Sequence, residues 1–366
     1  MNDLTERPGG PGFDLRGMYP RELEWLMAAL GRPSWHAGQL LRWMARPVRG
    51  WDELTNIPRE LAESLEARGF YISAPVLGAR TGRTADGTEK FLWRMADGEA
   101  VESVWMPYRH GNSVCVSTQA GCRMGCAFCA SGIGGLHRDL GAGEMLAQVL
   151  FSAEAAGGSV GNIVMMGTGE PLDNYEQCVR FLRIIGDPGG MGMGMRHISL
   201  STCGLADRIE QFARERLPVS LCVSLHAPDD ALRSQFMPIN KKFNIAALMQ
   251  ALRYYQSYGV CISPVGNGDG GTRRVYIEYA LIRGLNDTDA CARDLARLLR
   301  GLVCHVNLIN LNGVAERPQF QPSRNARRFC DVLNACGQSA TVRRRMGSDV
   351  DAACGQLRRR SVEAYE

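Results

Sequence analysis

Ser113-Val114-Cys115-Val116-Ser117, Thr118-Gln119-Ala120 and then Gly121-Cys122-Arg123-Met124-Gly125-Cys126-Ala127-Phe128-Cys129 decide how this sequence is read. Residues 113–117 read as a strand, and the loop that follows carries three cysteines at C-x3-C-x2-C spacing. Three thiolates so spaced fit one face of an iron–sulfur cube. A four-iron cluster ordinarily takes four cysteines, so a three-cysteine loop leaves one iron open to another ligand. The competing reading is a structural zinc with His137 as fourth ligand, because Cys3His sites exist even though their usual spacings differ.

Downstream, a strand, loop and helix pattern repeats. Strand candidates lie at 162–166, 197–201, 219–224, 275–282 and 305–310, with helical stretches at 144–155, 175–185, 206–214 and 290–299. About six βα units in succession imply an α/β fold with a parallel sheet, open or curved into a barrel. In such folds chemistry gathers where the strands end. The glycine-rich stretches 189–194 and 266–271 read as connections, since neither has the Gly-Lys-Ser/Thr of a phosphate loop nor calcium-loop carboxylate spacing.

Upstream, residues 1–18 read as a loose Gly/Pro-rich lead-in, and 19–69 as a small helical domain with apolar residues such as Leu23, Leu26, Met27 and Leu30 at helical spacing. Residues 70–110 read as a short strand-bearing connector, 111–347 as the α/β body and 348–366 as a C-terminal segment. The 366 residues are 45% hydrophobic and 22% charged, which excludes disorder over most of the length, and the net charge of +4 neither requires nor forbids a polyanionic partner. Thirteen cysteines is an odd number, so some are free or ligating. Met1-Asn2-Asp3-Leu4-Thr5-Glu6 lacks a basic and apolar leader, and no apolar run approaches a membrane span. The expectation is a cytoplasmic protein with no membrane partner.

The cysteine loop has an aromatic, Phe128, before its third cysteine, and Gly167-Thr168-Gly169-Glu170-Pro171 follows the next strand. Together these resemble the radical S-adenosylmethionine (SAM) superfamily. Further segments include Val101-Glu102-Ser103-Val104, Ser201-Thr202-Cys203-Gly204, Ser224-Leu225-His226, Met237-Pro238-Ile239-Asn240 and Asp351-Ala352-Ala353-Cys354-Gly355-Gln356-Leu357. In their order along the chain they resemble the RlmN/Cfr family of dual-cysteine radical SAM RNA methyltransferases.

The resemblance implies a partial (β/α)6 radical SAM barrel with a small N-terminal RNA-binding domain. It implies one [4Fe-4S] cluster on Cys122, Cys126 and Cys129, and SAM held by Gly169, Glu170, Ser201, Ser224, Leu225, His226 and Asn312. An adenine C2 or C8 carbon is a poor nucleophile toward the SAM methyl, so a radical route through a carrier thiol makes chemical sense. In the family one SAM methylates a C-terminal cysteine. A second is reductively cleaved at the cluster, and the radical so made takes hydrogen from that methyl. The carbon then joins the adenine, leaving protein and RNA linked. Cys354 matches the carrier, Cys115 the resolving thiol whose attack leaves a disulfide, and Glu102 the proton acceptor. Taken alone, each has a plainer reading: a small buried thiol, a fourth cluster ligand, or an exposed strand carboxylate.

Pro171 after Glu170 matches the RlmN type, which acts at adenine C2 in the peptidyl-transferase region of 23S rRNA and in some members in tRNA, rather than the C8-specific Cfr type. A reducing partner such as flavodoxin or ferredoxin and a monomeric state are also expected. Phosphate neutralisation needs local cation density, and the candidates are Arg42, Arg46 and Arg49 beside Trp43 and Trp51, Lys241-Lys242, Arg273-Arg274, Arg343-Arg344-Arg345 and Arg358-Arg359-Arg360. Cys178, Cys203, Cys222, Cys261, Cys291, Cys304, Cys330 and Cys336 read as inert core thiols. The stretch 258–272 is longer than the family's usual link into the next strand.

Overall fold

Apolar residues at i, i+3 and i+4 spacing near the N-terminal end produce the expected helices. The computed structural model describes residues 12–258, 273–311, 314 and 316–343. Strand β1 (Phe13–Asp14) precedes α1 (Pro20–Ala29), α2 (Trp35–Met44) and α3 (Arg59–Ala67), and β2 (Phe70–Tyr71) follows. Leu23, Leu26, Leu40, Met44, Leu61 and Leu65 form an apolar cluster separate from the main core. The expected loose lead-in is corrected from Phe13 onward; residues 1–11 lie outside the described residues. β1 pairs in parallel with β2, and Arg16 is wholly buried. Its guanidinium donates to the carbonyls of Ser73 (2.9 Å), Met44 (2.6 Å), Arg46 (2.7 Å) and Val48 (2.9 Å). A planar fork of donors can satisfy several chain segments at once, and here it ties the lead-in to the helices.

Next come three antiparallel strands, β3 (Val76–Arg80), β4 (Glu89–Arg94) and β5 (Ala100–Met106). They extend the body's sheet, because β5 pairs antiparallel with β6 (Asn112–Cys115). A short hairpin, β7 (Gln119–Gly121) and β8 (Leu136–Asp139), brackets the cysteine loop. The chain then runs α4 (Ala142–Ala156), β9 (Val160–Met165), α5 (Tyr175–Ile185), β10 (Ile198–Thr202), α6 (Ala206–Arg214) and β11 (Ser220–Ser224). It continues with α7 (Asp230–Phe236), α8 (Ile245–Tyr258), β12 (Val275–Leu281), α9 (Asp289–Leu298), β13 (Cys304–Asn310), α10 (Ala326–Ala335) and β14 (Ala340–Val342).

The sheet order is β14-β13-β12-β11-β10-β9-β6-β5-β4-β3. The six expected strands are β6 and β9 to β13, all parallel, and β14 adds a seventh. Its three residues are too few to show a period. Apolar residues from these strands and from α4, α5, α6, α8 and α9 form the main core. The curvature of a partial barrel shows in one contact: the Arg343 guanidinium, just past β14, lies 3.9 Å from Met166 Sδ, just past β9. Four strands separate β14 from β9 in the sheet. No helix among the described residues is long and apolar enough to cross a membrane.

Candidate active site

A cavity of about 400 Å³ opens at the C-terminal ends of the parallel strands. Cys122, Cys126, Cys129 and Cys115 line it, and so do Gly169, Glu170, Ser201, Ser224 and His226. Residues spread over more than a hundred positions thus meet in one chamber.

The cysteine loop is held from both sides. The Cys122 N–H donates to the Gly135 carbonyl (2.9 Å), the Ala127 N–H to the Phe236 carbonyl (2.8 Å) and the Cys129 N–H to the Cys126 carbonyl (3.1 Å). Gly121 enters the loop at φ +83°, where a Cβ would lie 2.1 Å from the Gly135 oxygen. Phe128 wedges edge-on against Phe236 and His226, with ring centroids 5.8 and 5.2 Å away. This explains the aromatic before the third cysteine: it anchors the loop while its neighbours face the cavity.

Burial pushes the Cys122 thiol up to about 12 and raises Cys126 further. These thiols therefore keep their protons until a metal displaces them. The zinc reading is corrected. His137 lies outside the cavity lining and its Nδ1 is 2.9 Å from Glu99 Oε1. Among the described residues no three His, Cys, Asp or Glu side chains converge closely enough for a single ion. A cube takes one thiolate per iron, and all three loop cysteines line the one cavity, so the loop fits a cluster.

The Gly-Glu turn is built as tightly. Gly169 has φ +112°, and a Cβ there would lie 2.7 Å from Thr118 Oγ1 and from Gln119 Cβ. Glu170 is buried; its Oε1 accepts the Leu172 N–H (3.0 Å) and its Oε2 the Cys203 N–H (2.7 Å). Burial raises its pKa while these N–H groups oppose the rise. Such a carboxylate is suited to an ammonium ligand that restores the charge balance lost to desolvation. Gln119 joins the two motifs: its Oε1 accepts the Glu170 N–H (2.8 Å), and its Nε2 donates to Asp139 (2.8 Å) and Asp173 (3.0 Å). Arg123, inside the cysteine loop, also pairs with Asp173 at 2.7 Å.

Other expected site residues divide. Leu225 does not reach the cavity lining; it packs in the main core, and its N–H donates to the Glu278 carbonyl (3.1 Å). His226 has φ +59°, unusual for a residue with a side chain, and its Nδ1 accepts the Ala280 N–H (3.0 Å). Glu102 is not the exposed strand carboxylate of the plainer reading but is buried beside Lys90. It shares a face of β5 with Val104 and Met106, which line the cavity. Asn312 and Cys354 lie outside the described residues, as do 259–272 and the clusters 344–345 and 358–360.

Sequence reading missed several groups. Cys203 is a buried core thiol as expected but also forms part of the cavity wall, and Cys336 is exposed; Cys261 lies outside the described residues. Arg233 is fully buried and donates to the carbonyls of Cys203 (2.6 Å) and Leu225 (3.1 Å) and to Asn240 Oδ1 (2.9 Å). Glu278, Asn310 and Arg343 line the cavity. Arg343 is thereby moved from the expected RNA surface to the chamber. Of the arginine and tryptophan cluster, Arg46 covers the Trp43 ring at 4.9 Å, while Arg49 is engaged by Glu154.

Residues 116–299 match the Radical SAM superfamily. Over 352 residues, 96% of this chain and 99% of the relative, the sequence is 43% identical to the probable dual-specificity RNA methyltransferase RlmN of Alkaliphilus oremlandii. The Clostridium tetani protein of the same designation is 44% identical over 90% of this chain and 91% of its own. The crystal structure of a radical SAM methyltransferase from Sphaerobacter thermophilus superposes with a TM-score of 0.84 at 44% identity, covering 94% of this chain and 98% of that one. The cysteine chamber is thus that of a radical SAM enzyme, and the chain belongs to the RlmN family of RNA methyltransferases, which work with a [4Fe-4S] cluster and SAM.

Proposed function

We propose that this enzyme methylates C2 of an adenosine in 23S rRNA and in tRNA, carrying the carbon on Cys354. The observation that carries the reading is the place of Cys115. It lies on β6, seven residues before the cysteine loop, yet lines the same cavity as Cys122, Cys126 and Cys129. Cys203 also lines the cavity, but Cys115 stands opposite Val104 on the strand that carries Glu102. A cavity thiol placed there, outside the loop, is what a thiol-carrier scheme needs and a simple cluster enzyme does not. Pro171 supports C2 over C8, and the designation "dual-specificity" among the relatives supports more than one RNA substrate.

Bound to the three thiolates, the cluster supplies one-electron cleavage of SAM, with a flavodoxin or ferredoxin as donor. The chain's own residues do the rest. Cys122, Cys126 and Cys129 lose their protons to become ligands. Glu170 holds the SAM ammonium, with Ser201, Ser224, His226 and Asn312 contacting the rest of the cofactor, while Leu225, packed in the core, positions its neighbours Ser224 and His226. Cys354 presents the methyl carbon. Once that carbon is joined to adenine and the adduct has passed its unpaired electron back to the redox partner, Glu102 takes the ring proton and the Cys115 thiolate attacks the Cys354 sulfur. The sulfur–carbon electron pair leaves with the carbon, which takes up a proton to become the methyl group, and a Cys115–Cys354 disulfide remains. The target base leaves its stack to reach this chamber, and cations around Trp43 and at Lys241-Lys242 and Arg273-Arg274 hold the RNA backbone.

Nucleoside mass spectrometry of 23S rRNA and tRNA from cells with and without the gene tests this. The expected result is loss of 2-methyladenosine from both RNAs. Loss of 8-methyladenosine would move the chemistry to C8, and no change would reject the proposal.

A further inference from the structure

Part of the cavity wall, on β12 and β13, has hydrogen-bond acceptors with no donor among the described residues. Glu278 on β12 stands in register with Ser224 on β11 and Asn307 on β13. It lines the cavity at 3% exposure. Its Oε1 accepts from Asn307 Nδ2 at 2.9 Å. Its Oε2, and Asn310 Oδ1 on the same wall, have no hydrogen-bond partner among the described residues. Burial raises the Glu278 carboxyl while Arg343 opposes the rise. Buried acceptors are ordinarily paired, so two left open on one cavity wall mark a place for a donor-bearing ligand.

We propose that Glu278, with Asn310 further along the same wall opposite Leu281, is a binding residue for an adenosine moiety, its open Oε2 accepting from the exocyclic amino group or a ribose hydroxyl. The proposal rests on the reading of this chamber as the meeting place of SAM and a target adenosine. Glu170 follows β9, and β12 is three strands further on, about 14 Å along the curved sheet. Glu278 therefore meets a different part of any ligand whose ammonium is at Glu170. An adenosine brings an amino group and ribose hydroxyls, the donors this wall lacks. Two sources supply that group, the nucleoside half of SAM and the RNA base itself.

The E278Q substitution keeps size and shape. Because Asn307 still needs an acceptor, the new amide turns its oxygen there and presents an NH2 where Oε2 was, setting donor against donor. Two equilibrium measurements are made on anaerobically reconstituted protein whose iron content and melting temperature match the parent. One is SAM binding by dialysis. The other is binding of an RNA hairpin with adenosine at the target position, compared with the same hairpin carrying purine riboside or 2′-deoxyadenosine there. The loss of one hydrogen bond to a charged acceptor corresponds to about tenfold or more. A SAM affinity reduced by that factor assigns Glu278 to the cofactor. An unchanged SAM affinity with loss of the parent's preference for the adenosine hairpin assigns it to the substrate. If both are unchanged the proposal is overturned. Should E278Q fail to load iron, Asn310→Ala at the end of β13 is read by the same two measurements. A parent protein that binds SAM but forms no 2-methyladenosine rejects the proposed reaction and leaves the SAM measurement valid.

Discussion

Lys90 Nζ lies 3.1 Å from Glu102 Oε2, and the two side chains are 1% and 3% exposed. Their strands pair antiparallel, with Lys90 opposite Val104 and Glu102 opposite Leu92, which puts the ammonium and carboxylate on the same face as Val104. Buried ions are costly singly and tolerable as a pair. Removing Lys90 as K90M is therefore expected to lower stability by about 3–5 kcal/mol. The K90M/E102L double variant should recover a large part of this. Urea unfolding of the three proteins checks it, and equal losses in single and double variants would contradict the pairing argument.

His226 gives the fold an acid-sensitive element. Burial, with Arg233 nearby, lowers its pKa from 6.5 to about 3. The unfolded chain takes up a proton below about 6.5, whereas the folded one does not until about pH 3. The group's contribution is thus complete above pH 6.5 and is lost as the pH falls toward 3. The expected loss between pH 7 and pH 5 is about 2 kcal/mol. Denaturant unfolding of cluster-free protein in reductant should show this slope, and His226→Gln should lack it.

Substituting one loop cysteine, Cys126→Ala, should take anaerobically reconstituted protein from about four irons per chain to a small remainder and abolish the brown absorbance. The far-ultraviolet circular dichroism should stay, because the loop backbone is held by hydrogen bonds to Gly135 and Phe236 rather than by metal. A colourless protein with stoichiometric zinc in the parent would contradict the cluster assignment.

Gly169→Ala places a Cβ 2.7 Å from Thr118 Oγ1 at φ +112°. Strain of about 1–3 kcal/mol is expected, and the Glu170 carboxylate shifts with it. SAM affinity should fall by about tenfold or more while iron loading is kept, because one displaced charged hydrogen bond accounts for that factor. Dialysis with iron assay on the same samples separates the two effects.

Much of the parallel body was legible because several βα units carry their own period: α5 and α6 begin and end where the apolar spacing does, whereas α7, α8 and α10 were not among the expected helices. The chamber was legible where chemistry forces residue type, as at Cys122, Cys126, Cys129 and Glu170. What escaped was set by tertiary contact. Phe13 and Asp14 have no strand signal of their own and take up β structure only by pairing with Phe70 and Tyr71. Glu102 sits in an apparently ordinary strand, and only the register of β4 brings Lys90 against it. Glu278 and Arg343 reach the cavity through strand register and sheet curvature, which no local pattern encodes.

The account depends most on a carbon passing from a protein sulfur to RNA. Its most direct test is mass spectrometry of nuclease- and protease-digested Cys115→Ala enzyme after incubation with SAM, reductant and substrate RNA. The account predicts a peptide containing Cys354 joined through one carbon to an adenosine. Free methylated RNA from this variant, with no such peptide, would contradict it.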